Sequence, residues 1–156
     1  MPNTEIRTDE DLAEVLYDLW DNNFADIPRK NLVLIKFGKS SKRQLGSIKW
    51  VNKRTKVKGF LKGFKEERKA QDDKRISLIT LTRLFQSKVV PDYVVTSTIA
   101  HELVHYTHGF HSPLQRRYKH PHQGRIVQKE LNNRGLGEIH KKSEQWIKAN
   151  WQKYAF

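Results

Sequence analysis

The chain has 156 residues, no cysteine, and 30 Lys and Arg against 17 Asp and Glu, giving a formal net charge of +13 and a pI near 10.0. That length supports one hydrophobic core and not a second full one, and the lack of cysteine excludes disulfides, a cysteine zinc ribbon and a thiol nucleophile. A field of this sign attracts polyanions and gives salt-sensitive affinity for nucleic acid.

The first residues, 1–11, are polar and acidic with no apolar segment, and no run approaches 18 apolar residues. They predict neither a signal peptide nor a membrane span, and so an intracellular protein, cytoplasmic or in the nucleoid or nucleus. Thr8, followed by Asp9-Glu10-Asp11 and the spaced Leu12, Val15, Leu16, Leu19 and Trp20, predicts a helix ending before Pro28. Residues 32–38 read as a strand. Residues 45–51 and 55–61 alternate weakly and predict a hairpin around Asn52-Lys53-Arg54, with a further strand over 75–79.

Between Asn52 and Arg75 lie ten Lys or Arg against four acids, extended upstream by Lys39, Lys42, Arg43 and Lys49 and interleaved with Trp50, Phe60 and Phe64. Rings beside cations are what a single-stranded nucleic acid stacks on. Lys42, Arg43, Lys49, Trp50, Lys53, Arg54, Lys56 and Lys58 are therefore the candidate nucleic-acid contacts. Taken singly, each ring is better read as hairpin core. Residues 65–74 read as the mobile segment, and residues 81–85 as a short helix.

Pro91-Asp92 starts, and Gly109 stops, a helix that carries His101-Glu102-Leu103-Val104-His105. Residues four apart share a helix face, so His101 and His105 can hold one zinc ion while Glu102 takes a proton from the attacking water. At about 100° per residue, Val95, Ile99, Leu103 and Tyr106 form an apolar stripe away from His101 and His105. Downstream, the reading is an irregular segment over 110–122, a helix from about 124 to 133, and a last helix from Ser143 onward with Trp146, Ile147, Trp151 and Tyr154.

This order of elements, a helix, a small antiparallel sheet leading into Thr98-Ile99-Ala100-His101-Glu102-Leu103-Val104-His105, then Pro121-His122-Gln123-Gly124, resembles the SprT-like metalloprotease domain, the family that includes Spartan. The resemblance covers residues 9–136 and outside the HExxH region is one of pattern. It implies a zincin-like α+β single domain, one catalytic Zn2+, and zinc-dependent proteolysis of proteins bound or crosslinked to DNA, as in DNA repair. The partners would be single-stranded or structured DNA and its bound proteins, with no membrane. The chain differs from many members in having no zinc ribbon and in placing Gln123 between His122 and Gly124.

His122 occupies the family's third-ligand position, and Ile126, Val127 and Leu131 after it can anchor a helix. His111 stands six residues after His105, in a His108-Gly109-Phe110-His111 string similar to that of WLM proteases. With Met1 the only methionine, no Met-turn is available for a metzincin. His120 and Glu130 are further alternatives. His108 lies about 10 Å along the axis from His101, too far to share its metal. Tyr106, Tyr118 and His108 are candidates to stabilise an oxyanion. A hydrolase of small substrates and a nucleic-acid-binding module with a structural zinc are the other classes these residues allow.

Overall fold

Helix α1 (Asp9–Asn23) starts with the capping box its sequence spells: the Thr8 hydroxyl accepts from Asp11 N, and the Asp11 carboxylate accepts from Thr8 N. Its buried stripe is Leu12, Leu16, Leu19 and Trp20. The computed structural model describes residues 5–55 and 61–153, and among them an α+β arrangement of five α-helices and one three-stranded sheet.

The sheet contains β1 (Leu32–Phe37), β2 (Gly46–Trp50) and β3 (Ile76–Leu81) in the order β1-β3-β2. The expected antiparallel sheet is corrected to a mixed one: β3 runs parallel to β1 and antiparallel to β2. β1 and β3 are both buried at five of six positions, as a parallel pair covered on both faces requires, and the central place gives the β3 backbone two partners. The expected hairpin partner of β2 is replaced by β3. Residues 52–55 turn, with Asn52 Oδ1 accepting from Arg54 N at 2.8 Å. Most of the supposed second arm, including Lys56, Lys58 and Phe60, lies outside the described residues. Leu61 already begins a helical turn, and the segment read as mobile contains the exposed helix α2 (Lys65–Ala70).

Residues 81–85 prove to be the end of β3 and a single 3-10 turn capped by Thr82. Helix α3 (Asp92–Thr107) then carries the HExxH residues. It is no two-faced surface helix: Val94, Val95, Ile99, Ala100, Leu103, Val104 and Tyr106 are buried, and so are Ser97, Glu102, His105 and Thr107. A helix enclosed on nearly every side is a core helix, here packed against α1, β2, β3 and the two C-terminal helices α4 (Ile126–Asn133) and α5 (Gly137–Asn150). Helix α5 begins six residues before the predicted start at Ser143, after Gly135 turns the chain with φ of 78°. Tyr154 lies outside the described residues. No helix among the described residues is long and apolar enough to cross a membrane.

One buried cation ties the chain ahead of α1 to the connection entering α3. Arg7, only 4% exposed, donates to the carbonyls of Phe85 (3.0 Å), Ser87 (2.9 Å) and Val90 (2.6 Å) and to Asp92 Oδ1 at 2.6 Å. The guanidinium holds the Asp92 carboxyl below the usual carboxylate range. A depressed carboxylate stabilises the fold above its unfolded pKa of about 4, and the contribution fades as pH falls through the folded value. Asp92 is exposed, so this share is screened and small. Arg7→Ala strands buried carbonyls and is expected to cost about 3 kcal/mol in urea unfolding at pH 7, the penalty narrowing slightly below about pH 4.

Candidate metal centre

His101 and His105 project from one face of α3, and His122 comes from the irregular segment that precedes α4. His101 Nε2 lies 3.0 Å and His105 Nε2 3.1 Å from His122 Nε2. The three residues are close enough to hold a metal ion. The fit can be judged on geometry: two nitrogens on a tetrahedral metal at 2.0–2.1 Å stand about 3.3 Å apart. It can also be judged on hydrogen. The single lone pair of His122 Nε2 accepts one proton, so it cannot satisfy both neighbours, whereas a cation among the three nitrogens serves all of them.

The electrostatics suit ligation. Burial, reinforced by His122 and His140, pushes His101 down to about 4, and burial together with His101 and His122 pushes His105 down to about 3. Both rings are therefore neutral at physiological pH, the form that binds metal. His105 Nδ1 is buried without a hydrogen-bond partner among the described residues. Phe110 stands edge-on to that ring at 6.2 Å.

Glu102 follows His101 and is only 4% exposed. Burial pushes its carboxyl up to about 8. A divalent cation beside it favours the ionised form. The strand β2 passes close: a Cβ at Gly46 would stand 3.1 Å from Glu102 Oε1 and 2.9 Å from Thr98 Cγ2, so glycine is what lets the carboxyl and the strand meet. His101, Glu102 and His122 line one cavity of about 600 Å³, closed on other sides by Arg43 and Leu45 before β2, by Arg125 and Val127, and by His140 and Ile147 of α5.

The other candidate ligands do not join the cluster among the described residues. His111, at φ 49°, accepts at its backbone carbonyl from Ser77 Oγ at 2.7 Å. His120 is exposed, its backbone N–H donating to Gln123 Oε1 at 2.8 Å. Glu130 accepts from His108 Nε2 at 2.9 Å and from Arg134 Nε at 3.2 Å. Arg134 also donates to Asp26 Oδ1 at 2.6 Å and to the Asn23 carbonyl at 2.8 Å. This chain of contacts from α3 through α4 to the end of α1 braces the segment that delivers His122.

None of Tyr106, Tyr118 and His108 lines the cavity. Tyr106 is fully buried with its hydroxyl donating to Asn31 Oδ1 at 2.6 Å, and burial pushes its pKa up. His108 is 1% exposed, and Tyr118 packs edge-on against it at 4.8 Å. The group the sequence reading missed is His140, which does line the cavity, with Nδ1 3.5 Å from Ser97 Oγ. Its Nε2 stands 3.1 Å from Glu144 Oε1 but is not aligned for a hydrogen bond. The signal was the stripe His140, Ser143, Glu144 and Ile147, visible only once the helix is started at Gly137.

The candidate nucleic-acid contacts divide between the two sides of β2. Arg43 lines the metal cavity, whereas Lys49 and Trp50 line a groove beyond β2 and Arg54 a neighbouring one. Lys53 is exposed in the turn after β2, and the Lys42 carbonyl accepts from Trp151 Nε1 at 2.9 Å. Lys56 and Lys58 lie outside the described residues. Comparisons with protein-family models, with curated proteins and with solved structures find no match.

Two outcomes are expected here. His122→Ala should weaken Zn2+ or Co2+ binding by more than about 100-fold in a competition titration, while His111→Ala and Glu130→Ala retain a tetrahedral Co2+ absorption band. The metal-free protein should be most stable near pH 6.5. Below that pH its depressed histidines leave the unfolded chain binding more protons, so the urea midpoint drops through the window down to about 3; above it the raised Glu102 carboxyl leaves the folded chain binding the extra proton, so the midpoint also falls as pH rises toward about 8.

Proposed function

We propose that this chain is a zinc-dependent peptidase of the SprT-like kind, acting on proteins held on DNA. The observation that carries this reading is the convergence of His101 and His105 on His122, Nε2 to Nε2 at 3.0 and 3.1 Å, beside a buried carboxyl that lines one cavity with His101 and His122. Three histidine ligands with one open position are the donor set of catalytic zinc, and structural sites use four protein ligands. When bound there, zinc supplies a Lewis acid that polarises the scissile carbonyl and acidifies water.

The protein's own groups divide the remaining work. Glu102 takes the proton from the attacking water and carries it to the leaving amine. Its apolar surroundings disfavour the ionised form and so raise the carboxyl toward neutral pH, where it can both bind and release a proton. His140, which lines the same cavity, donates through Nδ1 to the oxygen that becomes negative as the carbonyl is attacked. Strand β2 is an edge strand, and the chain from Arg43 to Gly46 forms the cavity's rim. An extended peptide laid along that edge gains backbone hydrogen bonds, and Leu45, Val127 and Ile147 offer an apolar seat for one side chain. The +13 charge gives the association with DNA.

Cleavage of a histone by the zinc-loaded chain, with and without single-stranded DNA, tests the reading. Glu102→Gln should lower kcat by about 10² to 10⁴-fold with zinc still bound, and His140→Ala should lower kcat by about 100-fold with KM little changed. Turnover of small esters but not proteins would make the chain a different hydrolase. Tight zinc with no turnover of any substrate would make the metal structural.

A further inference from the structure

The sheet has a second face, turned away from the metal cavity. Alternation along the strands points Val33, Ile35, Phe37, Ile48, Ile79 and Leu81 into the main core. Leu32, Leu34, Ile76 and Leu78 point the other way and form a separate apolar cluster under Leu61 and Phe64. Farther along that outer face the register changes character. Lys36 sits beside Thr80, Thr80 beside Ser47, and Lys49 beside Leu78.

Two adjoining grooves of about 470 and 620 Å³ open over this polar half, sharing Lys36, Gly38 and Lys39. Their cations are Lys36, Lys39, Lys49, Arg54 and Arg83, and no carboxylate occurs among the described lining residues. A solvated sheet face ordinarily mixes its charges, and this chain has 17 acidic residues to draw on. Cations and hydroxyls without acids, in a concave surface, match a run of phosphodiesters.

We propose that this half of the outer sheet face seats the backbone of a single-stranded nucleic acid, on the far side of β2 from the metal cavity. The proposal rests on reading the chain as a protease for DNA-bound proteins and adds where the DNA lies. Gln44 and Gly46 line both the metal cavity and the first groove, so one short stretch of chain divides the two. The strand is held behind β2 and the peptide in front of it, and nucleic acid does not thread the catalytic cavity.

The test is fluorescence anisotropy of a labelled polythymidine oligonucleotide on the full chain, across a salt series, repeated in the Glu102→Gln background so that cleavage plays no part. The triple variant Lys39→Gln, Lys49→Gln, Arg54→Gln is compared with the equal-charge control Lys129→Gln, Lys141→Gln, Lys148→Gln, which touches neither groove. Matching urea midpoints show that both variants are folded. The groove variant should raise Kd by more than about tenfold and flatten the slope of log K against log salt by about 2, with the control near wild type. Equal losses in both variants would reduce the effect to net charge and overturn the proposal. So would polyglutamate competing as well as the oligonucleotide, which would make the face a seat for acidic protein, or a duplex binding as tightly through the same residues. Groove-dependent binding without histone cleavage sinks the protease reading and leaves this one standing; cleavage without such binding does the reverse.

Discussion

Three imidazoles gathered so that His101 and His105 each bring Nε2 within about 3.1 Å of His122 Nε2 impose a demand that the rest of the molecule is arranged to meet. Protonated, the rings repel; neutral, they turn lone pairs toward each other with too few hydrogens to share. The arrangement is comfortable only when the rings stay neutral and a cation sits among them. Burial of His105 and the near-enclosure of His101 enforce the first condition, and the shared focus provides for the second.

Holding that focus requires rigidity on both sides. From one side it comes from α3, locked by a core that closes round it, with Tyr106 set between Trp20 and Asn31. From the other it comes from a loop whose freedom is removed at its two ends. Just after α3, Gly109 turns at φ of 85° where a Cβ would strike the backbone at residue 116, and Ser112 Oγ returns to the Tyr106 carbonyl at 2.7 Å. Beyond His122, α4 is fastened through Glu130 to His108 and through Arg134 to Asp26. Polar contacts that resemble candidate catalytic or metal-binding groups in the sequence thus prove to be braces. His108 Nε2 and the Glu130 carboxylate meet inside the fold, and neither residue lines the cavity.

How much could be read from the chain follows from how local each signal is. The capping box at Thr8, the extent of α3 and the pairing of His101 with His105 depend on neighbours three or four residues away, so they were legible. His122 was harder, since its approach depends on a loop path that spacing does not encode; only the burying residues after it gave a physical hint. The sheet order was not legible, because alternation says which face a residue takes and nothing about which strand lies next to it. The separation of Arg43 from Lys49 and Arg54 has the same cause. They are close along the chain, and an edge strand leaves Arg43 on the side of the metal cavity and the other two on the far side.

The order β1-β3-β2 also bears on how the chain assembles. The strand in the middle is the last of the three to be synthesised, so neither outer strand has its partner until β3 exists: Leu32 waits for Ile76, and Gly46 for Leu81. Such distant pairings slow folding, because the loops must close before the contacts reward them. Helix α3 follows β3 directly. Sheet closure and the arrival of His101 and His105 therefore belong to the same late stage of synthesis, and a nascent chain stopped before β3 has neither a completed sheet nor a place to put a metal ion.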